Sequence, residues 1–178
     1  MRVAAYQAPY RPYPSEGGVE LVLAHLERAQ ADGVELVCCP EALIGELANE
    51  TDGDYIEPAR VLAAKGAEFL VVPVHGGHRP AKEQAWRARG INVLIARAVE
   101  NGIPLVDADV AGWQGERVCH GTTAIIDSQG TVVAAAQPLA EELVIADVAL
   151  AGLRGGIDSE LFGRANPAVF GQFGALWS

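Results

Sequence analysis

The chain has 178 residues, half of them apolar, and a formal net charge of −10 at pH 7. This size suffices for one domain with a substantial core, so we expect a single domain over residues 1–178, with its core in about 1–150 and a tail over 151–178. The acidic balance argues against nucleic acid or an anionic membrane surface as a partner, because both attract clustered lysine and arginine.

The N-terminal half of the chain alternates strands with helices. Short apolar runs predict three strands, at 3–7, 34–39 and 69–74. Helical spacing of apolar residues, with glycine just past each end, predicts three helices, at 19–31, 57–65 and 80–100. The first helix carries an apolar stripe that should pack on a sheet, formed by Val19, Val22, Leu23, Leu26 and Ala29.

The C-terminal half contains short strands without helices between them. Turns rich in Gly, Asp and Ser separate four predicted strands, at 105–110, 123–126, 132–135 and 143–148. Such short connections favour antiparallel pairing. The fold class is therefore α/β, with mixed sheets and layered helices.

The compartment follows from cysteine use and from the N-terminal sequence. The three cysteines do not form a disulfide framework, which favours a reducing compartment such as the cytoplasm. The first residues lack the apolar core of a signal peptide, and no segment has the length and apolarity of a membrane span. We therefore expect neither.

A carboxylate, Glu41, follows the second predicted strand where that strand ends. Pro40 has no backbone N–H for a sheet and ends the strand. Functional sites in α/β folds collect at the carboxyl ends of strands, but a lone carboxylate there is usually a solvated loop residue. This segment alone leaves both interpretations open.

Several segments, in order, resemble the nitrilase superfamily, the carbon-nitrogen hydrolases. They are residues 40–43 (PEAL), 57–63 (EPARVLA), 96–106 (ARAVENGIPLV), 121–127 (GTTAIID) and 145–148 (IADV). The resemblance implies a four-layer αββα sandwich and a Glu-Lys-Cys triad that hydrolyses small amides, nitriles or carbamoyl compounds through a covalent thioester. It implies that Glu41 is the general base of such a triad.

The lysine and the cysteine of the triad have no match. In relatives both lie between the base strand and the helix that residues 57–65 resemble, and here that interval is shortened, with a junction near Asp54-Tyr55. We therefore expect the sandwich to lack several strands at this point. The two lysines, Lys65 and Lys82, stand elsewhere.

Replacement nucleophiles are conceivable among the three thiols. Cys39 shares a strand face with Glu41, but a nearby negative charge raises a thiol pKa, and Cys38 and Cys39 are better interpreted as buried apolar residues. Cys119 is the other candidate nucleophile. Its neighbour His120 should point to the opposite face of a strand, so the two should not hydrogen-bond.

The remaining histidines and aspartates give weaker indications of function. His75 and His78 lack further ligands at a useful spacing, so no metal site is expected. The resemblance implies that the loop containing His75 borders the substrate pocket. Asp107 and Asp109 share a strand face without a partner group and are interpreted as strand-edge polar residues. Nothing indicates a nucleotide, metal or flavin, so no cofactor is expected.

Two functions are compatible with this pattern. The first is a non-hydrolytic carbon-nitrogen hydrolase relative that acts as a scaffold or oligomer subunit. The second is an active amidase with a rebuilt site, using Glu41 and a thiol such as Cys119 on a small amide or nitrile. Missing strands would expose sheet edges and apolar surface, so we expect a homo-oligomer, with the aromatic tail packed on this or another subunit.

Overall fold

The computed structural model describes residues 1–10, 17–41, 43 and 58–150. The helices in this part are α1 (Gly18–Ala31), α2 (Pro58–Ala64) and α3 (Pro80–Asn101). The strands are β1 (Arg2–Pro9), β2 (Leu36–Cys38), β3 (Leu70–Pro73), β4 (Leu105–Ala108), β5 (Val110–Gln114), β6 (Arg117–His120), β7 (Ala124–Ile126), β8 (Val132–Ala135) and β9 (Glu142–Asp147). The predictions for the loop after Glu41, the junction at 54–55 and the tail at 151–178 lie outside the described residues.

The helix ends follow local chemistry. Pro80 occupies the first turn of α3, where its missing N–H costs no hydrogen bond. Gly102 ends the helix with φ of 64°, a left-handed conformation that glycine adopts without a Cβ penalty. The predicted helices at 19–31 and 80–100 are therefore confirmed to within one residue at each end.

The strands form two sheets. Sheet I has the order β2-β1-β5-β6, with β9 also paired to β1, and sheet II has the order β3-β4-β7-β8. The early strands pair in parallel, β1 with β2 and β3 with β4. The late strands pair antiparallel, β5 with β6 and β7 with β8. The short connection between β7 and β8 predicted their pairing.

Three apolar clusters separate four layers. The cluster between the sheets contains Val3, Ala5, Cys38, Val106, Ala108, Ile125, Val144 and Val148. The cluster between sheet I and α1 contains Ala4, Tyr6, Ala8, Ala29, Leu43 and Leu143. The cluster between sheet II and the helices α2 and α3 contains Ala63, Leu70, Ala98, Ile103, Leu105, Ala124 and Ile126. The order of layers is therefore αββα, with β1 and β4 covered on both faces.

The prediction for the apolar stripe of α1 is only partly correct. Ala29 is buried against the sheet, and His25 stacks on the ring of Tyr6 at 3.8 Å. The other side of the stripe faces outward, because Val19 is 55% exposed and Leu23 is 53% exposed. The ring stack turns α1 so that only part of its apolar surface reaches sheet I.

The predicted strand at 105–110 is wrong in one respect, because the chain changes sheets within it. β4 belongs to sheet II and β5 to sheet I, and Asp109 is the residue between them. The hairpin of β5 and β6 was also not predicted. Gly112, Gly115 and the polar residues Gln114, Glu116 and Arg117 hide its apolar alternation in the sequence.

Asp109 is not an exposed strand-edge residue, since only 3% of it is exposed. Its Oδ1 accepts hydrogen bonds from the backbone N–H of Gly76 at 2.9 Å and of Val110 at 2.8 Å. Its Oδ2 accepts one from the N–H of Thr122 at 3.2 Å. The carboxylate thus joins the β3–α3 loop, the start of β5 and the β6–β7 loop.

No helix in the described part of the chain combines the length and the apolarity that crossing a membrane requires.

We expect Asp109→Asn to lower the free energy of unfolding by about 1–3 kcal/mol. An amide has one acceptor oxygen, so its NH₂ group would face a backbone N–H on one side of the carboxylate site. Urea unfolding followed by circular dichroism measures this loss. The matched control is Asp127→Asn, because Asp127 accepts both of its backbone N–H bonds on Oδ1, which an asparagine can retain. Equal losses of stability for the two variants would contradict the conclusion that the Asp109 carboxylate joins these three segments.

Candidate functional site

The carboxyl ends of β2, β3 and β4 are joined by backbone hydrogen bonds. The N–H of Glu41 donates to the carbonyl of Val74 at 3.3 Å, and the N–H of Val74 donates to the carbonyl of Ala108 at 2.8 Å. Glu41 therefore lies at a strand carboxyl end, as its position in the sequence predicts. Its side chain is exposed.

The three thiols are free and unfavourably placed for ionisation. Burial raises the pKa of Cys38 to about 12, and the carboxyl of Asp107 adds to the shift. Burial also raises the pKa of Cys39. Cys119 is fully buried, and burial together with Asp109 raises its pKa to about 11 although Arg117 opposes the shift.

His75 and His78 lie in the loop after β3. His75 is partly buried, and its ring meets that of Tyr10 edge-on at 5.8 Å. His78 forms an isolated antiparallel bridge with Val118 of β6. Within residues 1–10, 17–41, 43 and 58–150, no group of three or more His, Cys, Asp or Glu side chains is placed to hold a metal ion.

A cavity of about 260 Å³ lies between α3 and the carboxyl ends of β3 and β4. Its walls include apolar side chains from β3, the loop after it, α3 and β6, namely Val72, Val74, Val93, Leu94 and Val118. Its polar groups are Asp107, Asp109, Thr122, Glu83, His120, His78 and Arg89. A cavity with several titratable groups in a helix–sheet layer is a candidate ligand site.

Asp107 lies on the face of β4 that packs toward α3. Leu105, two residues earlier, belongs to the apolar cluster beneath the helices, and the alternation of a strand brings Asp107 to the same face. Only 1% of Asp107 is exposed. Burial, reinforced by the charge of Asp109, raises its pKa well above the ordinary value, and the hydrogen bond from Thr122 lowers it only in part.

Thr122 and Gly90 form the boundary of the cavity near these carboxyl groups. The hydroxyl of Thr122 lies 3.1 Å from Oδ2 of Asp107 and 3.4 Å from Oδ2 of Asp109. Gly90 of α3 leaves room for the threonine, since a Cβ at that position would lie 3.0 Å from Cγ2 of Thr122.

His120 and Cys119 point away from each other, as expected for neighbours in a strand. Nδ1 of His120 lies 2.6 Å from Oε1 of Glu83 on α3, an ion-pair contact without hydrogen-bond alignment. Cys119 lies on the other side, where a Cβ added at Gly77 would approach its Sγ to 3.3 Å. His120 therefore cannot act directly on the Cys119 thiol in this arrangement.

The sequence pattern does not predict that Asp107, Asp109 and Thr122 line one cavity. The available signal was the placement of two carboxyl residues at alternate positions of an otherwise apolar strand, with two threonines following Gly121. Nothing in that pattern predicts that a helix covers them.

The family is established by comparison with known proteins. A family model described as carbon-nitrogen hydrolase matches residues 46–156. The chain is also 33% identical over 94 residues to a glutamine-dependent NAD(+) synthetase from Rhodobacter capsulatus, an alignment that covers 53% of this chain and 16% of that protein. The chain thus spans about one sixth of the length of that curated relative. It belongs to the carbon-nitrogen hydrolase family.

Solved structures define the fold more completely. A Glu-to-Gln variant of the amidase from Nesterenkonia sp. AN1, with acrylamide added at its active site cysteine, superposes with a TM-score of 0.70 at 18% identity, over 93% of this chain and 99% of that one. A Cys-to-Ala variant in complex with butyramide gives a TM-score of 0.69 at 18% identity, over 92% and 96% of the two chains. The nitrilase-like αββα sandwich is confirmed, and its described part has fewer strands than the full fold.

We expect Asp107→Asn to flatten the pH dependence of stability. Folding raises the pKa of Asp107 above the ordinary 3.8, so between these two pKa values the folded chain holds a proton that the unfolded chain has released. Stability is therefore greatest below this window and falls as pH rises through it. The variant lacks this titration and should gain stability relative to the parent as pH rises above the ordinary value of 3.8, as measured by urea unfolding.

The control for this measurement is Glu116→Gln, which removes an exposed carboxylate from the β5–β6 turn. Its stability should follow the parent at every pH. An Asp107→Asn profile parallel to that of the parent would show that Asp107 does not titrate abnormally.

Proposed function

We propose that this chain is a non-hydrolytic member of the carbon-nitrogen hydrolase family, which retains the sandwich and the position of Glu41 without a working triad. The observation that carries the proposal is the state of its thiols. Hydrolysis in this family requires a cysteine thiolate, and burial raises the pKa of each of the three cysteines. At neutral pH these thiols are protonated and poor nucleophiles.

The positions of the lysines support the same proposal. The chain has only two, and both Lys65 and Lys82 are exposed on helix termini, away from the strand ends near Glu41. An oxyanion is stabilised by a cation held in a dry site, not by an exposed ammonium. Glu41 is itself exposed, so the described residues do not form a water-excluded site around it.

The chemistry of a relative also supports the proposal. In one solved amidase the acetamide moiety of fluoroacetamide is attached covalently at the active site cysteine. This reaction needs an accessible, ionisable thiol, whereas Cys119 is fully buried here. We propose a reducing compartment, the cytoplasm, because all three thiols are free.

We expect no release of ammonia above the buffer blank when the protein is incubated with small amides and nitriles, including acrylamide, butyramide and glutamine. A typical enzyme turns over about 10 times per second, so even a weak activity is detectable. Glu41→Gln should give the same result as the parent. The controls are Cys119→Ala and alkylation of the folded protein.

Turnover that is abolished by Glu41→Gln, by Cys119→Ala and by alkylation would overturn this proposal. It would establish the alternative, an amidase rebuilt around Glu41 and Cys119. His75 would then be the next residue to test, because its loop includes Gly77, where an added Cβ would lie 3.3 Å from the Sγ of Cys119.

We also propose that the chain forms a homo-oligomer through the outer face of α1. Val19, Leu23 and Leu26 are 55%, 53% and 41% exposed and lie at helical spacing on one side of the helix. An apolar stripe of this kind favours association.

We expect Leu23→Gln to shift the protein toward the monomer in sedimentation velocity experiments, by about tenfold or more in dissociation constant. Val99→Gln, an equally exposed apolar site on α3, is the control and should leave the distribution unchanged. A monomeric parent protein would refute the oligomer.

A further inference from the structure

We propose that the cavity between α3 and sheet II binds a small uncharged molecule with a hydroxyl group on a compact apolar body, such as a phenol, and that the hydroxyl group bonds to His120. This site is separate from Glu41, which is not among the residues that line the cavity. The inference goes beyond the proposed function and does not depend on whether the chain hydrolyses amides.

The first observation is the orientation of the His120 ring. Its Nδ1 is buried and lies 2.6 Å from Oε1 of Glu83 on α3, and neither atom has a further hydrogen-bond partner in the described part of the chain. A carboxylate oxygen only accepts hydrogen bonds, so Nδ1 is a ring nitrogen that carries a hydrogen. Glu83 is therefore a positioning residue, because the hydrogen on one ring nitrogen determines what the other nitrogen can do.

The second observation concerns the other ring nitrogen. His120 lines the cavity, and 16% of its side chain is exposed. Because Nδ1 is buried against Glu83, Nε2 is the polar atom of His120 that remains for a ligand. A neutral ring accepts a hydrogen bond at Nε2, and a protonated ring donates one there. A hydroxyl group can do either, so it suits this nitrogen in both states of the ring.

The third observation is that the aspartates of the cavity offer a ligand almost no surface. Only 1% of Asp107 and 3% of Asp109 is exposed. Asp107 accepts a hydrogen bond from Thr122, and Asp109 accepts three from backbone N–H groups. A charged ligand would lose its water without gaining a direct partner in these carboxyl groups, so the cavity favours an uncharged ligand.

Two further side chains that line the cavity carry or can carry positive charge. Arg89 is exposed, so water screens its charge. The backbone of His78 pairs with that of Val118, which brings a second histidine to the same cavity as His120. His78 therefore provides a matched control for the role of His120.

The apolar walls suit the body of the ligand. Val72, Leu94 and Val118 line the cavity from β3, α3 and β6. The cavity volume of about 260 Å³ lies just below the range typical of drug-sized ligands, so it suits a molecule of few heavy atoms, such as a single ring. Burial of the ring against these walls supplies most of the affinity, and the hydroxyl group determines the orientation.

The test uses four probes built on one aromatic ring: phenol, toluene, benzoate and benzylammonium. We expect phenol to bind with a dissociation constant of ~1 mM or tighter in calorimetry and ligand-observed NMR. Toluene has the same shape without a hydrogen-bonding group and should bind at least about threefold more weakly. Benzoate and benzylammonium should bind at least about tenfold more weakly than phenol, because each would bring a charge into the cavity.

The ring nitrogens of His120 give a direct measurement. The chain has four histidines, so His→Gln variants can assign their ¹⁵N resonances. Phenol should shift the Nε2 resonance of His120, and toluene should leave it in place. Glu83→Gln should weaken phenol several-fold without changing toluene binding, because it affects only the orientation of the ring.

The variants locate the site. His120→Leu should remove the preference for phenol over toluene, whereas His78→Gln should preserve it. If His120→Leu does not fold, Val93→Phe tests the same cavity. Val93 lines the cavity and is 48% exposed, so the helix can accept a larger side chain there. The phenylalanine should fill part of the cavity and weaken phenol and toluene alike.

Four results would overturn the proposal. They are the absence of phenol binding, toluene binding as tight as that of phenol, tighter binding of either charged probe, and phenol binding that is unchanged in His120→Leu or Val93→Phe. None of them bears on the hydrolysis assay, because that assay depends on Glu41 and the thiols. The two proposals can therefore fail separately.

Discussion

The carboxylate of Asp109 accepts hydrogen bonds from backbone amides in three separate segments, and the arrangement of both sheets depends on it. The chain leaves sheet II at Ala108 and enters sheet I at Val110, with a single residue in between. A turn this tight inside a protein leaves backbone N–H groups that water cannot reach. Asp109 satisfies those of Gly76, Val110 and Thr122. The sandwich can thus change sheets without a surface loop.

This solution has an electrostatic consequence for the neighbouring residue on the same face. A buried negative charge at Asp109 opposes a second one at Asp107, and burial opposes both, so the pKa of each carboxyl is raised. Asp109 therefore belongs both to the crossing between the sheets and to the polar wall of the cavity. Burial is the main cause of the raised pKa of Asp107, and Asp109, the residue at the sheet crossing, adds to it.

The relation to the amidases is one of architecture. The chain superposes on solved nitrilase-fold enzymes at 18% identity, which establishes the fold. The likeness says nothing of how reactive groups are placed in this chain. Glu41 is exposed, Cys119 is fully buried, and the polar cavity lies on the helix side of sheet II without either of them. Because a fold does not by itself fix a function, the activity of this chain has to be argued from its site.

Local pattern was sufficient for most secondary structure. Pro80 and Gly102 mark the ends of α3, and the alternation of apolar residues identifies β4, β7 and β9, because these signals act over a few residues. The ordered segments that resemble the carbon-nitrogen hydrolases also identified the family from the sequence, and the family model confirms it. The position of Glu41 after β2 was likewise predictable, because Pro40 ends the strand through its own chemistry.

The tertiary structure decided which of these residues meet. The stripe of α1 was expected to be buried, yet the stack of His25 on Tyr6 turns Leu23 outward. Asp107 and Asp109 were expected at a strand edge, yet α3 covers the first and the sheet crossing buries the second. The sequence by itself determined the elements, the family and the residue types at the strand ends. Burial, hydrogen-bond partners and the cavity depend on contacts between segments far apart in the chain, such as Gly76 with Asp109 and Glu83 with His120, which no local pattern records.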